Sequence, residues 1–207
     1  MIELFLSAFI TLFVVIDPPG CAPIYAGLTR DATPAQQRFM AIKACLIAGA
    51  ILLGFALFGE KLLSALHIEL SAFRIAGGIM LFMIAIDMVF EKRTQRREER
   101  AEKIMGTPEV EDVSVFPMAM PMLAGPGAIA SVMLLVGGSS GIESTLVILG
   151  ALASVLLLTM FALMAASPLM RLFGASVEAV ITRLLGVLLA ALAAQYVIDG
   201  LRESFGV

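Results

Sequence analysis

Charged residues, cysteines and nucleotide-binding motifs are all scarce in this 207-residue chain, and each scarcity removes a class of protein. Lys, Arg, Asp and Glu make up only 15% of it, whereas soluble domains carry about 25%. A formal net charge of -3 gives no footprint for nucleic acid, and no nucleic-acid partner is expected. The two cysteines, Cys21 and Cys45, both fall in apolar stretches, where a thiol behaves as a small hydrophobe, so no disulfide framework is implied. The start, MIELFLSAFITLFVV, lacks the basic cluster of a cleaved signal peptide and reads as a retained helix. There is no GxxxxGK[ST] phosphate loop, so ATP hydrolysis by this chain is not expected.

What remains is apolar: 60% of the residues are hydrophobic and the mean hydropathy is +0.99. Six stretches are long enough to cross a hydrocarbon core of ~30 Å, which takes about 20 apolar residues as helix. They are Ile2–Leu28, Phe39–Phe58, Ala72–Val89, Val113–Val136, Leu146–Ala166 and Ala179–Ile198. The long polar segment Glu91–Asp112 reads as a solvated loop between two units, 1–90 and 113–207. The fold expected is an all-α integral membrane protein of six helices. Arg30, Arg38, Lys43, the basic residues of 91–112 and Arg171 crowd one face, whereas the turn Gly137–Ser144 has none. Topology follows that asymmetry, which places the charged central loop in the cytoplasm and both termini in the periplasm of a bacterial inner membrane.

The two units match each other. Pro19-Gly20 aligns with Pro126-Gly127, and Ile68–Gly78 aligns with Val177–Val187, bringing Glu69 to Glu178, Arg74 to Arg183 and Gly77 to Gly186. Three spans per unit is an odd number, so the second unit enters the membrane from the opposite side and the repeat is inverted.

Both units also carry an interruption at the same place. Asp17-Pro18-Pro19-Gly20 breaks the first span, because two prolines remove backbone donors and clash with the preceding turn. Pro121 and Ala124-Gly125-Pro126-Gly127 break the fourth. Irregular backbone at membrane depth is tolerated where it is buried in protein or lines a wet cavity, and a matched pair of such breaks points to a transporter's binding site. The half-helices restarting near Cys21 and Ala128 would present free N–H groups to an anion, while freed carbonyls before them would hold an ammonium or a coupling cation. A zwitterion suits both. The candidate substrate-binding residues are therefore Asp17, Pro18, Pro19, Gly20, Cys21, Pro23, Gly125, Pro126, Gly127 and Ser131. Against this stands the plainer reading of two packed proline kinks. Asp17 has two roles open to it, a helix cap or a coupling group.

Glu69, Arg74, Glu178, Arg183 and Gln195 are candidates for gating or structural polar links, with each arginine placed about a turn after the glutamate it would pair with. Asp87 and Asp199 lie at the far ends of the same spans, where solvated caps are expected. Gly49, Gly54, Gly77, Gly78 and Gly186 suit close helix packing. No metal site and no resident cofactor are expected; a proton or sodium ion enters only as a coupling ion.

In DPPGCAPIYAGLT, LAGPGAIASVM, RIAGGIMLFMIAID and RLLGVLLAALAAQYVIDG the sequence resembles the MarC family over essentially the whole chain. Cys21 stands where the family more usually has Asn. The resemblance implies kinship with LysE-type exporters, six spans and transport of small neutral amino acids rather than enzymatic chemistry. The partners implied are a small solute and the lipid bilayer, with homo-oligomerisation left open. Two other readings are a membrane thiol relay, which needs a cysteine in each half, and an intramembrane aspartyl protease using Asp17 and Asp87.

Overall fold

In this computed structural model, residues 1–90 and 112–206 are described, with the backbone alone described at 167 and 169–178. Most of the expected charged loop, and the side chain of Glu178, lie outside the described residues. Every regular element among the described residues is helical: α1 (Ile2–Ile16), α2 (Pro18–Leu28), α3 (Pro34–Ala65), α4 (Leu70–Val89), α5 (Ser114–Leu123), α6 (Pro126–Gly137), α7 (Ile142–Met164) and α8 (Ala166–Phe205). Five candidate spans, Ile2–Leu28, Pro34–Ala65, Leu70–Val89, Ile142–Met164 and Ala179–Phe205, are long and apolar enough to cross a bilayer. The pair α5 and α6, bent by 53°, makes a sixth when taken as one broken span. Large apolar side chains such as Leu46, Leu146, Leu184 and Val187 point outward, as lipid-facing helices require.

Two expectations about the helices need correction. The fifth and sixth stretches were expected to be joined by a polar loop carrying Arg171. Instead the backbone is helical from Ala166 to Phe205, and only Ala165 separates α7 from α8. A single glycine, Gly174, is tolerated inside a helix at a cost of about 1 kcal/mol relative to alanine, and helical neighbours readily override it. The first unit does break at the aligned place, with His67 at φ 56 and Glu69 as the N-cap of α4. The second correction concerns α5, which is not an ordinary half-helix. Phe116 (φ -130, ψ 127) and Met120 (φ -133, ψ 126) are extended, each lying just before a proline that disfavours helical geometry in the residue ahead of it. The peptide bonds to Pro117 and Pro121 are cis. Wide turns bridge the extended residues, with Met118 N–H donating to Val113 O (3.2 Å) and Ala124 N–H to Ala119 O (2.9 Å).

Packing follows a regular plan. α4 and α8 form the most extensive pair, running antiparallel. A Cβ added to Gly78 would meet Ala193 and Val197, one on Gly186 would meet Met88 and Ala85, and one on Gly200 would meet Ile75 and Ser71. Small residues let membrane helices approach this closely. Gly49 and Gly77 also face neighbours, Leu156 and Leu134, but Gly54 faces open space and has no packing role here. The larger contacts otherwise fall in counterpart pairs: α1 on α7 and α5 on α3, α2 on α8 and α6 on α4, α3 on α6 and α7 on α2. The contact of α1 with α8 has no counterpart of similar extent.

A groove of about 360 Å³ runs between α3 and α7. Ile42, Cys45, Leu46, Gly49, Ala50 and Leu53 line one wall, and Leu149, Leu152, Ala153, Leu156, Leu157 and Met160 line the other. Each residue of the second set follows its counterpart by 107 positions, the spacing that also separates Pro19 from Pro126.

Candidate functional site

The first break is built on Asp17. Pro18 and Pro19 have no N–H to continue the helix, so α1 ends at Ile16 and Asp17 takes the left-handed conformation (φ 59, ψ 65), which re-aims the chain into α2. Its carboxylate turns back as the N-cap of α2, with Oδ1 accepting from Gly20 N–H at 3.1 Å. A Cβ on Gly20 would strike that carboxylate, so glycine is what the cap requires there. Cys21 Sγ lies 3.5 Å from Ile16 O and gives that carbonyl a weak donor. Asp17 and Cys21 are 1% and 0% exposed, and Asp17 is the only charged residue buried among those described.

The second break reaches the same shape with backbone. Gly125 is the N-cap of α6 and Pro126 its first residue; no side chain caps this helix. Instead the Pro121 carbonyl crowds Gly125, where a Cβ would stand 2.5 Å from its oxygen. One turn on, the Ser131 hydroxyl is fully buried and has no hydrogen-bond partner.

The two breaks adjoin. A Cβ on Gly127 would lie 3.4 Å from Val15 Cγ1, with Leu81 and Ile84 of α4 closing the same contact. Farther along, Ala8 clusters with Leu135 and Val136, so α1 and α6 run antiparallel from this meeting point. The glycines at the breaks therefore admit close approach by the protein's own atoms: Asp17 at Gly20, Pro121 at Gly125, and Val15, Leu81 and Ile84 at Gly127. Pro18 is buried, Pro19 and Pro23 are half-buried, and Pro126 is exposed. Beside the first break, Pro18 and Pro19 line a crevice of about 340 Å³ with Phe13, Leu158, Phe161 and Ala162, which is apolar throughout.

The polar links differ from the expected pairs. Arg74 does not reach Glu69; its Nη1 lies 2.7 Å from Glu203 Oε2 near the end of α8. Glu69 accepts from Ser71 Oγ at 3.3 Å instead. A glutamate at an N-cap and an arginine on the next turn point along different sides of the helix, and α8 brings a nearer acid. Arg183 is exposed, and Gln195 Nε2 donates to Asp199 Oδ1 at 2.8 Å. At the other end of the bundle Lys43 Nζ and Asp112 Oδ2 are 2.5 Å apart, and Asp112 also accepts from Ser114 N–H (2.9 Å) and Oγ (2.5 Å) at the start of α5. Burial alone would raise the Asp112 carboxyl, but the hydrogen bonds from Lys43 and Ser114 outweigh it and hold the carboxyl at about 2. Sequence reasoning missed Glu203 and Asp112 as partners, since 129 and 69 positions separate them from Arg74 and Lys43. It also missed the extended residues of α5, although the FPMAMP run carried the signal. Among the described residues no cluster of His, Cys, Asp or Glu is fit to hold a metal ion.

Several helices long and apolar enough to cross a bilayer, with two proline-glycine breaks in contact, define a multi-pass integral membrane protein. The chain belongs to the MarC family of integral membrane proteins, whose family model matches residues 2–205. It is 34% identical over 207 residues to the UPF0056 membrane protein YvbG of Bacillus subtilis, covering 100% of this chain and 98% of that one. A UPF0056 membrane protein of Methanocaldococcus jannaschii is 33% identical over 201 residues, with 97% of each chain covered. One from Archaeoglobus fulgidus is 32% identical over 203 residues, covering 98% of this chain and 94% of the relative. No solved structure matches the chain.

Proposed function

We propose that this protein is a secondary transporter that moves small neutral amino acids, or closely related zwitterions, across the bacterial inner membrane by alternating access of two inverted halves. The observation that carries the reading is the contact between the two breaks, with Val15 beside Gly127. A single kink needs no partner, whereas two interruptions meeting inside the bundle bring two helix starts to one point.

The asymmetry of the breaks supports a zwitterion and gives it a direction. The N-terminus of α2 already holds the carboxylate of Asp17, so it is not the end that would take a substrate anion. α6 has no side-chain cap, and its free N–H groups together with the Ser131 hydroxyl suit a carboxylate. Asp17 then suits the ammonium, or a coupling proton or sodium ion. The apolar crevice along Pro18 and Pro19 favours an uncharged side chain. The counterpart contacts, the antiparallel α4 and α8, and the matched walls of the α3–α7 groove support the inverted repeat. Asp17, Cys21, Ala128 and Ser131 are all buried, as a closed conformation requires. The thiol-relay reading gains nothing, since both cysteines belong to the first half. Asp17, engaged as a cap, lends nothing to the protease reading.

The test is uptake and efflux of labelled small neutral amino acids by the purified protein in liposomes, with and without proton or sodium gradients. Pro19→Ala and Pro126→Ala are expected to cut flux at least about tenfold while leaving membrane insertion near wild type, since tenfold corresponds to ~1.4 kcal/mol at the rate-limiting barrier. Unchanged kinetics in both variants would sink the reading.

A further inference from the structure

At one end of the bundle three helix ends converge. Leu70 packs against Gly137 at the end of α6, and Ser71 and Ile75 of α4 pack against Gly200 of α8. Arg74 sits among them. Its Nη1 is 2.7 Å from Glu203 Oε2, and its Nη2 lies 3.5 Å from the position of a Cβ on Gly138, the residue that ends α6. The arginine is thus tied to an acid on α8 and lies beside the last turn of α6, a helix end that favours a nearby cation. Its side chain is 18% exposed and that of Glu203 48%.

We infer that Arg74 and Glu203 form an ionic latch that keeps the break region closed toward this face of the membrane. This rests on the transport reading for its purpose but not for its geometry. α6 is a rod of 12 residues, about 18 Å long at 1.5 Å per residue, with Gly127 in the break at one end and Gly138 beside Arg74 at the other. Swinging its far end outward exposes the face of α6 that carries Ser131, and it cannot do so without parting from Arg74. α8, tied to the same arginine through Glu203, resists the movement. At the opposite end of the bundle, Lys43 and Asp112 join α3 to the start of α5.

The test uses the full chain with Cys21→Ala and Cys45→Ala, so that Ser131→Cys supplies its sole thiol. The rate of maleimide modification in detergent reports how often the region opens. Glu203→Gln is expected to raise that rate about fivefold, the shift given by losing an ion pair at the upper end of the range for part-exposed pairs. Arg74→Gln, which also loses the α6 contact, is expected to raise it further. The double variant should match Arg74→Gln alone, because partners acting as one unit are not additive. Lys43→Gln should leave the rate unchanged. Parent-like labelling in a folded Glu203→Gln protein overturns the latch, and so does a double variant whose effect is the full product of the two single ones. Labelling that responds as expected, with no amino acid carried by the unsubstituted protein in liposomes, would remove the transport reading and leave the latch standing.

Discussion

The break at Asp17 and the break at Gly125 have similar shapes made from different materials. The first is closed by a buried carboxylate that caps the following helix, the second by the backbone carbonyl of Pro121 pressed against a glycine. Where α1 meets α2 the chain keeps a buried carboxyl; where α5 meets α6 it keeps N–H groups that no side chain caps. Similar backbone shapes at the two breaks are thus held by different chemistry.

The largest expected effect comes from breaking the tighter of the two. Gly125→Ala places a methyl 2.5 Å from a backbone oxygen that cannot rotate away, so about 1–3 kcal/mol of stability should be lost, as in other overpacked sites. Gly20→Ala meets a side chain that can swing aside at the cost of its cap, and should lose about 1 kcal/mol. Thermal unfolding in detergent ranks the two, and equal losses would erase the distinction between rigid and yielding breaks.

A sharper comparison separates the two roles of Asp17. Asp17→Ala removes the cap and is expected to cost roughly 0.5–2 kcal/mol, whereas Asp17→Asn retains a capping oxygen and should stay within about 0.5 kcal/mol of wild type. If the carboxylate also serves coupling, Asn at this position abolishes gradient-driven flux in liposomes while the melting temperature holds. Full flux with a normal melting temperature would leave Asp17 as a cap and nothing more.

The smallest effect is expected far from both breaks. Asp112 is held at about 2, against an ordinary 3.8, by hydrogen bonds from Lys43 and Ser114 that outweigh its burial. A carboxyl lowered in the folded protein contributes its stability in full above the ordinary value and loses it as pH falls through the folded one. Lys43→Ala should therefore cost less than about 1 kcal/mol at neutral pH, given how exposed the pair is, and nothing once the pH has fallen below about 2. Melting curves of the two proteins that fail to converge in acid would show that Lys43 acts otherwise.

How much of this was legible in the residues depended on how local the cause was. The break before Pro126 could be read directly, and for Asp17 the cap was one of two open readings, because an acid ahead of a helix start can cap its N–H groups. Phe116 and Met120 were equally local, yet within a hydrophobic run Pro117 went unread and Pro121 was taken only as part of the later break. The join between α7 and α8 misled in the opposite direction, since polar and small residues around Arg171 have the composition of a loop while the backbone stays helical. Arg74 shows the limit. Its partner belongs to a helix end 129 positions away, and only the antiparallel packing of α4 on α8 decides between Glu203 and the nearer Glu69. Where the two breaks meet was expected from the repeat, but which atoms fill the space beside their glycines was not.

The length of α8 carries a last consequence. Its 40 residues measure about 60 Å, twice the ~30 Å of hydrocarbon, and even a 40° tilt leaves it overshooting. The surplus is Ala166 onward to the start of the apolar stretch at Ala179. That stretch adds helical backbone beyond what one span needs, on the side where Lys43 holds Asp112.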